Sequence, residues 1–101
     1  MIIRAGRPFL VLGLIAALVC PALAADMDAR NLAANCTGCH GTNGVSAGGI
    51  PTLAGVDRAR IVQLMQEFRD GKRAATVMHQ LAKGYTDEQI EAIAAWLATQ
   101  K

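Results

Sequence analysis

The sequence predicts an all-α fold, about four helices joined by glycine-rich connections, with a cleavable leader in front. Three observations carry this expectation. Apolar residues recur at helical spacing between Ala29 and Leu97, with no stretch of strand-like alternation. Capping residues stand where those periodic stretches begin, and glycines stand where most of them end. The one nearly unbroken apolar run, Phe9 to Cys20, sits at the start behind Arg4 and Arg7.

That first segment has the three parts of a secretory signal peptide: a basic start, an apolar centre, and the small-x-small end Ala22-Leu23-Ala24. A spanning helix needs roughly 20 apolar residues, and the run is too short for a stable membrane anchor. Cleavage is expected after Ala24, giving a signal peptide at 1–24 and one domain at 25–101. Val19 and Pro21 fit a lipoprotein signal poorly, so Cys20 is read as removed with the leader.

A length of 101 residues allows one small domain. The 52% hydrophobic content excludes an intrinsically disordered chain. A formal net charge of +2 gives no support to nucleic-acid binding, which needs a concentrated basic face. Residues 25–101 carry eight basic and eight acidic side chains, and 14 of their 35 hydrophobic residues are alanine. So small a set of large apolar side chains makes a marginal core, which calls for a staple or a cofactor.

The first helix supplies one. Asp26 or Asp28 is placed to cap it, and Ala29, Leu32, Ala33 and Cys36 fall at i, i+3, i+4 and i+7. It runs into Cys36-Thr37-Gly38-Cys39-His40, a C-x-x-C-H motif read as a c-type haem attachment site. The spacing suits the chemistry. Two thiols one helical turn apart reach the two vinyl groups on neighbouring pyrroles, and the next residue brings an imidazole beneath the iron. A thioredoxin-like C-x-x-C requires a βαβ context that is missing here. Structural zinc requires a fuller ligand set, and residues 25–101 add only His79. A bare disulfide leaves His40 without a role. One motif implies one haem.

Residues 40–49 are too rich in glycine to be regular and read as a loop. Asp57 caps a second helix with Ile61, Leu64, Met65 and Phe68 on its apolar face, closed by Asp70-Gly71. A short helical piece is expected from about Ala75 to Lys83, ending at Gly84. Thr86 and Gln89 form a capping box that opens the last helix, whose stripe is Ile90, Ile93, Ala94 and Leu97 with Trp96 beside it.

A haem with one protein ligand is open to small molecules; with two it carries electrons. Met27 lies too near the proximal helix to reach the opposite face, and Met65 is in step with its own helix's core stripe. Met78 is separated from His40 by enough chain to wrap round the ring and is the expected second ligand. His79 is its rival. Adjacent helical residues point about 100° apart, so only one of the two faces the iron. A thioether favours ferrous iron, so His/Met ligation raises the potential above that of two imidazoles.

With these residues in view, the chain from about Ala29 to Gln100 resembles class I cytochromes c. The resemblance implies the class I cytochrome c fold, about four helices wrapped round one covalent haem c, in which Trp96 packs where the first and last helices cross. It also implies that the carbonyl of Pro51, in Gly49-Ile-Pro-Thr-Leu53, accepts a hydrogen bond from His40 and orients its ring, with Leu53 near the haem. Asn35-Cys-Thr-Gly-Cys-His-Gly41, Phe68-Arg-Asp-Gly-Lys72, Thr76-Val-Met78 and Leu81-Ala-Lys-Gly-Tyr-Thr86 are similar to the cytochrome subunits of flavocytochrome c sulfide dehydrogenases. That closer likeness implies a partner flavoprotein (FAD) that oxidises sulfide and passes electrons to the haem.

The expected function is therefore periplasmic electron transfer by a single haem c, with Cys36 and Cys39 attaching it and His40 and Met78 on the iron. No nucleophile–base pair or carboxylate dyad marks the chain as a catalyst. Two other readings stand beside it: a free shuttle serving an oxidase, reductase or other redox protein, and a five-coordinate haem sensor or peroxidase. Arg58, Arg60, Arg69, Lys72, Arg73 and Lys83 offer a docking face for an acidic partner, but acids are interspersed among them and an ordinary solvated surface is preferred.

Overall fold

The computed structural model describes Gly6 and residues 21–101. Most of the expected leader, including its basic start and apolar centre, lies outside the described residues. The elements run α1 (Pro21–His40), a 3-10 turn (Thr42–Gly44), α2 (Arg58–Arg69), α3 (Met78–Ala82) and α4 (Asp87–Ala98). No strand occurs among the described residues.

α1 begins earlier than the capping residues suggest. It is continuous from Pro21 through Asp26 and Asp28, so neither aspartate starts the helix. The Ala22-Leu23-Ala24-Ala25 run ahead of the two aspartates has high helix propensity. The stripe read from the sequence is present: Ala29 and Ala33 are buried, while Leu32 and Cys36 are half-buried against the core.

α2 has the limits its end signals give. The Asp57 side chain accepts the Ala59 N–H at the start, and Gly71 leaves the helix with φ 72°. α3 is shorter than expected, starting at Met78 and not Ala75. Its N-cap is Val77, with φ −134° and no side-chain capping bond. The β-branched pair Thr76-Val77 resists the helix and offers no cap, which leaves Ala74 and Ala75 in exposed, irregular chain.

α4 is opened by a complete capping box. The Thr86 hydroxyl accepts the Gln89 N–H at 3.2 Å, and the Gln89 side-chain oxygen accepts the Thr86 N–H at 3.0 Å. Thr86→Ala should therefore lower stability by about 0.5–2 kcal/mol, read from denaturant unfolding with an unchanged m-value.

The core gathers Ala29 and Ala33 from α1, Ile61 and Met65 from α2, Ala82 from α3, and Ile90, Ile93, Ala94, Trp96 and Leu97 from α4. α4 supplies its centre: α1 and α2 both pack on it, and α3 packs on α2. Trp96, beside the stripe by spacing and placed in the helix crossing by resemblance, is buried in the core. The small alanines let helix backbones approach closely. Arg58–Glu91 and Arg69–Asp87 join the two ends of α2 to α4 at the surface, each contributing at most about 1 kcal/mol.

Candidate functional site

The last turns of α1 order the motif. At about 100° per residue, Ala29, Ala33, Cys36 and His40 fall within roughly 60° of one another, and Cys39 lies about 60° beyond Cys36. Burial follows that geometry. The alanines are buried, Cys36 and His40 are half-buried, and Cys39 is exposed. Both thiols are free. Burial pushes the Cys36 thiol above its ordinary range.

Beyond His40 the chain reverses through backbone that glycine favours. Gly41 has φ 93° and Gly44 φ 82°, with Asn43 at φ 54° between them. The loop is irregular as expected, but its first part is a 3-10 turn that composition alone does not reveal. The Gly44 carbonyl then accepts the N–H groups of Leu53 and Ala54 at 2.8 and 3.1 Å. This closes the loop and brings Pro51 back to α1.

The result is a short contact: His40 Nδ1 lies 2.6 Å from the Pro51 carbonyl oxygen. A carbonyl only accepts, so Nδ1 carries the proton and donates. Nε2 then keeps its lone pair, the form in which imidazole binds a metal. The bond also fixes the ring's orientation and increases the electron density on Nε2.

Met78 belongs to a different element. It is the first residue of α3, half-buried against the core. His79 follows it, and His79 Nδ1 is enclosed with no hydrogen-bond partner among the described residues. Asn35, one residue before the motif, donates to the Tyr85 hydroxyl at 3.3 Å, tying α1 to the α3–α4 connection. Nothing in the sequence pattern pairs those two residues.

The residues present fit a haem. Among the described residues, Val45 (45% exposed), Ile50 (45%), Val77 (51%) and Leu81 (48%) are the large apolar side chains left open. They lie on the loop that follows His40 and on the segment around Met78, the two places a flat apolar ring bound between these residues would cover. Two thiols, an imidazole with a free Nε2 and a thioether form a donor set suited to haem c. Among the described residues no three His, Cys, Asp or Glu side chains converge to hold a metal ion.

The six cations considered for docking are largely engaged. Arg58, Arg69 and Arg73 pair with Glu91, Asp87 and Glu67. The hydrogen bond from Arg73 holds the Glu67 carboxyl below its usual range. Arg60 donates to Gln63.

The cytochrome c family model matches residues 27–101. The cytochrome subunit of sulfide dehydrogenase from Chlorobaculum tepidum is 43% identical over 65 residues, 64% of this chain and 59% of that protein. Cytochrome c-552 from Acidithiobacillus ferridurans is 41% identical over 64 residues, 63% of this chain and 28% of that protein. The thiosulfate dehydrogenase electron acceptor of Stutzerimonas stutzeri is 38% identical over 64 residues, 61% of this chain and 30% of that protein. The chain thus matches less than two thirds of the length of each of these relatives.

Proposed function

The chain belongs to the cytochrome c family and carries covalent haem c, and on that premise we propose that it is an exported single-haem electron carrier serving a sulfide-oxidising flavoprotein. Cys36 and Cys39 hold the haem by thioether bonds. His40 Nε2 and Met78 Sδ would be the ligands of its iron, and the Pro51 carbonyl fixes the His40 ring. The observation that carries this reading is the His40–Pro51 hydrogen bond, which engages Nδ1 and leaves Nε2 for a metal, on a residue one position from the free thiol of Cys39 and four from that of Cys36.

When bound, the haem supplies the ferrous–ferric couple. The chain's residues set the conditions for it. With both His40 and Met78 on the iron, no position would stay open to small molecules, which separates a carrier from a sensor or peroxidase. With a haem bound, the exposed apolar side chains Val45, Ile50, Val77 and Leu81 would help exclude water and lower the dielectric around it, which disfavours the more highly charged ferric form.

The partner follows from the likeness to the sulfide dehydrogenase subunit, with residues 1–24 directing export to the periplasm. The likeness to a thiosulfate dehydrogenase electron acceptor favours a second reading, a shuttle that meets its partners only in passing. Purification from the periplasm separates the two. Co-elution of a flavin-containing chain, and reduction of the haem by sulfide through that chain, supports the first. A cytochrome that elutes alone and that sulfide plus the flavoprotein fails to reduce overturns it. N-terminal sequencing of the same material should begin at Ala25.

Docking should respond weakly to salt. With Arg58, Arg69 and Arg73 paired with carboxylates, and with eight acidic side chains balancing eight basic ones over residues 25–101, there is little net positive charge to steer an acidic partner. The rate of haem reduction by the partner is expected to change little as the Debye length shrinks from about 10 Å to about 3 Å with added salt. A steep fall would identify an electrostatic docking face.

A further inference from the structure

We propose that Arg73 is a positioning residue for Met78: clamped between the Glu67 carboxylate and the Phe68 ring, it anchors the strap that carries the thioether to the iron. The inference rests on the reading of Met78 as a ligand and deepens it. α2 closes with the Asp70 N–H donating to the Gln66 carbonyl and the Lys72 N–H to the Glu67 carbonyl, both at 2.9 Å. The next main-chain bonds are accepted by Val77, whose carbonyl takes the N–H groups of Gln80 and Leu81 at 3.0 and 3.1 Å. Between them, residues 73–76 are exposed and make no backbone hydrogen bond among the described residues. This strap leads into Met78, the first residue of α3.

Arg73 ties the strap back to α2. Its Nε donates to Glu67 Oε2 at 3.0 Å, and its Cζ lies 6.0 Å from the Phe68 ring centroid, the outer reach of a cation–π contact. Both partners are themselves held. The other Glu67 oxygen accepts from Gln63 one turn back along α2 at 3.2 Å, and Phe68 packs against the core. The Glu67 side chain is 27% exposed, against 45% and 69% for Glu91 and Asp87 in the ion pairs of Arg58 and Arg69, so water screens this carboxylate least. With Arg73 held, the loose chain behind Met78 is residues 74–76 alone; with it released, the strap is loose from Lys72 onward. The shorter tether keeps the thioether at a higher effective concentration at the metal, so a competing ligand displaces it less readily.

The test titrates the oxidised, haem-loaded full chain with neutral imidazole and follows the far-red methionine–ferric band. Imidazole takes the iron position only when Met78 leaves it, so its apparent affinity reads how firmly the strap holds the thioether. Arg73→Ala and Glu67→Ala should each bind imidazole about two- to five-fold more tightly than the parent chain, the range a half-exposed ion pair allows. The double variant should bind no more tightly than either single one, because both remove the same clamp. Arg58→Ala, which removes an ion pair at the other end of α2, should bind as the parent does. Urea midpoints of Arg73→Ala and Arg58→Ala should lie close together, which separates a loosened strap from a loosened fold. Parent-like affinity in Arg73→Ala, effects that multiply in the double variant, an equal gain in Arg58→Ala, or a far lower urea midpoint in Arg73→Ala overturns the role of Arg73 while leaving Met78 on the iron. A parent chain without the far-red band overturns the ligand reading and the proposal with it.

Discussion

Met78→Ala abolishes the far-red methionine–ferric band and opens the reduced protein to rapid carbon monoxide binding, while His79→Ala leaves the band in place. This is the expected pair of results if Met78 completes the iron's coordination. The two residues occupy adjacent positions on α3, about 100° apart, so only one of them faces the iron. His79 Nδ1 is enclosed with no hydrogen-bond partner among the described residues, so that nitrogen is turned away from solvent. Met78 is half-buried and unbranched, with torsional freedom to bring Sδ to a metal. Loss of the thioether also removes the ligand that favours ferrous iron, so the midpoint potential of Met78→Ala should fall. A band lost in His79→Ala and kept in Met78→Ala would reverse the assignment.

The parts of this fold that depend on neighbours in sequence were legible in it. Asp57 and Thr86 cap their own helices through bonds to residues two and three positions on, so α2 and α4 start where their side chains dictate. The attachment motif is legible for a different reason: covalent chemistry on a ring of fixed size ties the two thiols and the imidazole to one spacing. α3 was misjudged because Ala74 and Ala75 are good helix formers, yet nothing caps a helix there. α1 was misjudged the other way, since Asp26 and Asp28 look like caps but the helix-favouring run from Ala22 to Ala25 already carries the helix upstream of them. Contacts set by packing had no signature. Arg58 meets Glu91 and Asn35 meets Tyr85 only because α2, α4 and the α3–α4 connection assemble as they do. The His40–Pro51 contact came into view by resemblance and not by spacing, because it depends on the path of a loop whose turns are set by positive φ.

That dependence makes Gly41 the position where one added methyl group should cost most. Gly41 has φ 93° and ψ 162°, a region open in practice only to glycine. A Cβ built there would lie 1.8 Å from the Val45 carbonyl oxygen and 2.5 Å from its carbon, both main-chain atoms that no rotamer change can move. Gly41→Ala must therefore carry both backbone strain and a clash. The turn has to open, and with it the Gly44 N–H bond to the Gly41 carbonyl at 2.8 Å, on which the return to Leu53 and Pro51 depends. The expected loss is about 3 kcal/mol or more. For a domain of this size that lowers the thermal midpoint by roughly 4–8 °C per kcal/mol. Gly71→Ala is the matched control: its φ is 72°, but a Cβ there meets nothing within 4 Å, so it bears strain alone and should cost only about 1 kcal/mol. The two variants should differ at the site as well. Gly71→Ala should keep a slowly exchanging His40 Nδ1 proton, whereas Gly41→Ala should lose it as Pro51 is released. Equal midpoints for the two variants, with the His40 proton retained in both, would mean that the turn relaxes around the added methyl group and does not hold Pro51 against the ring.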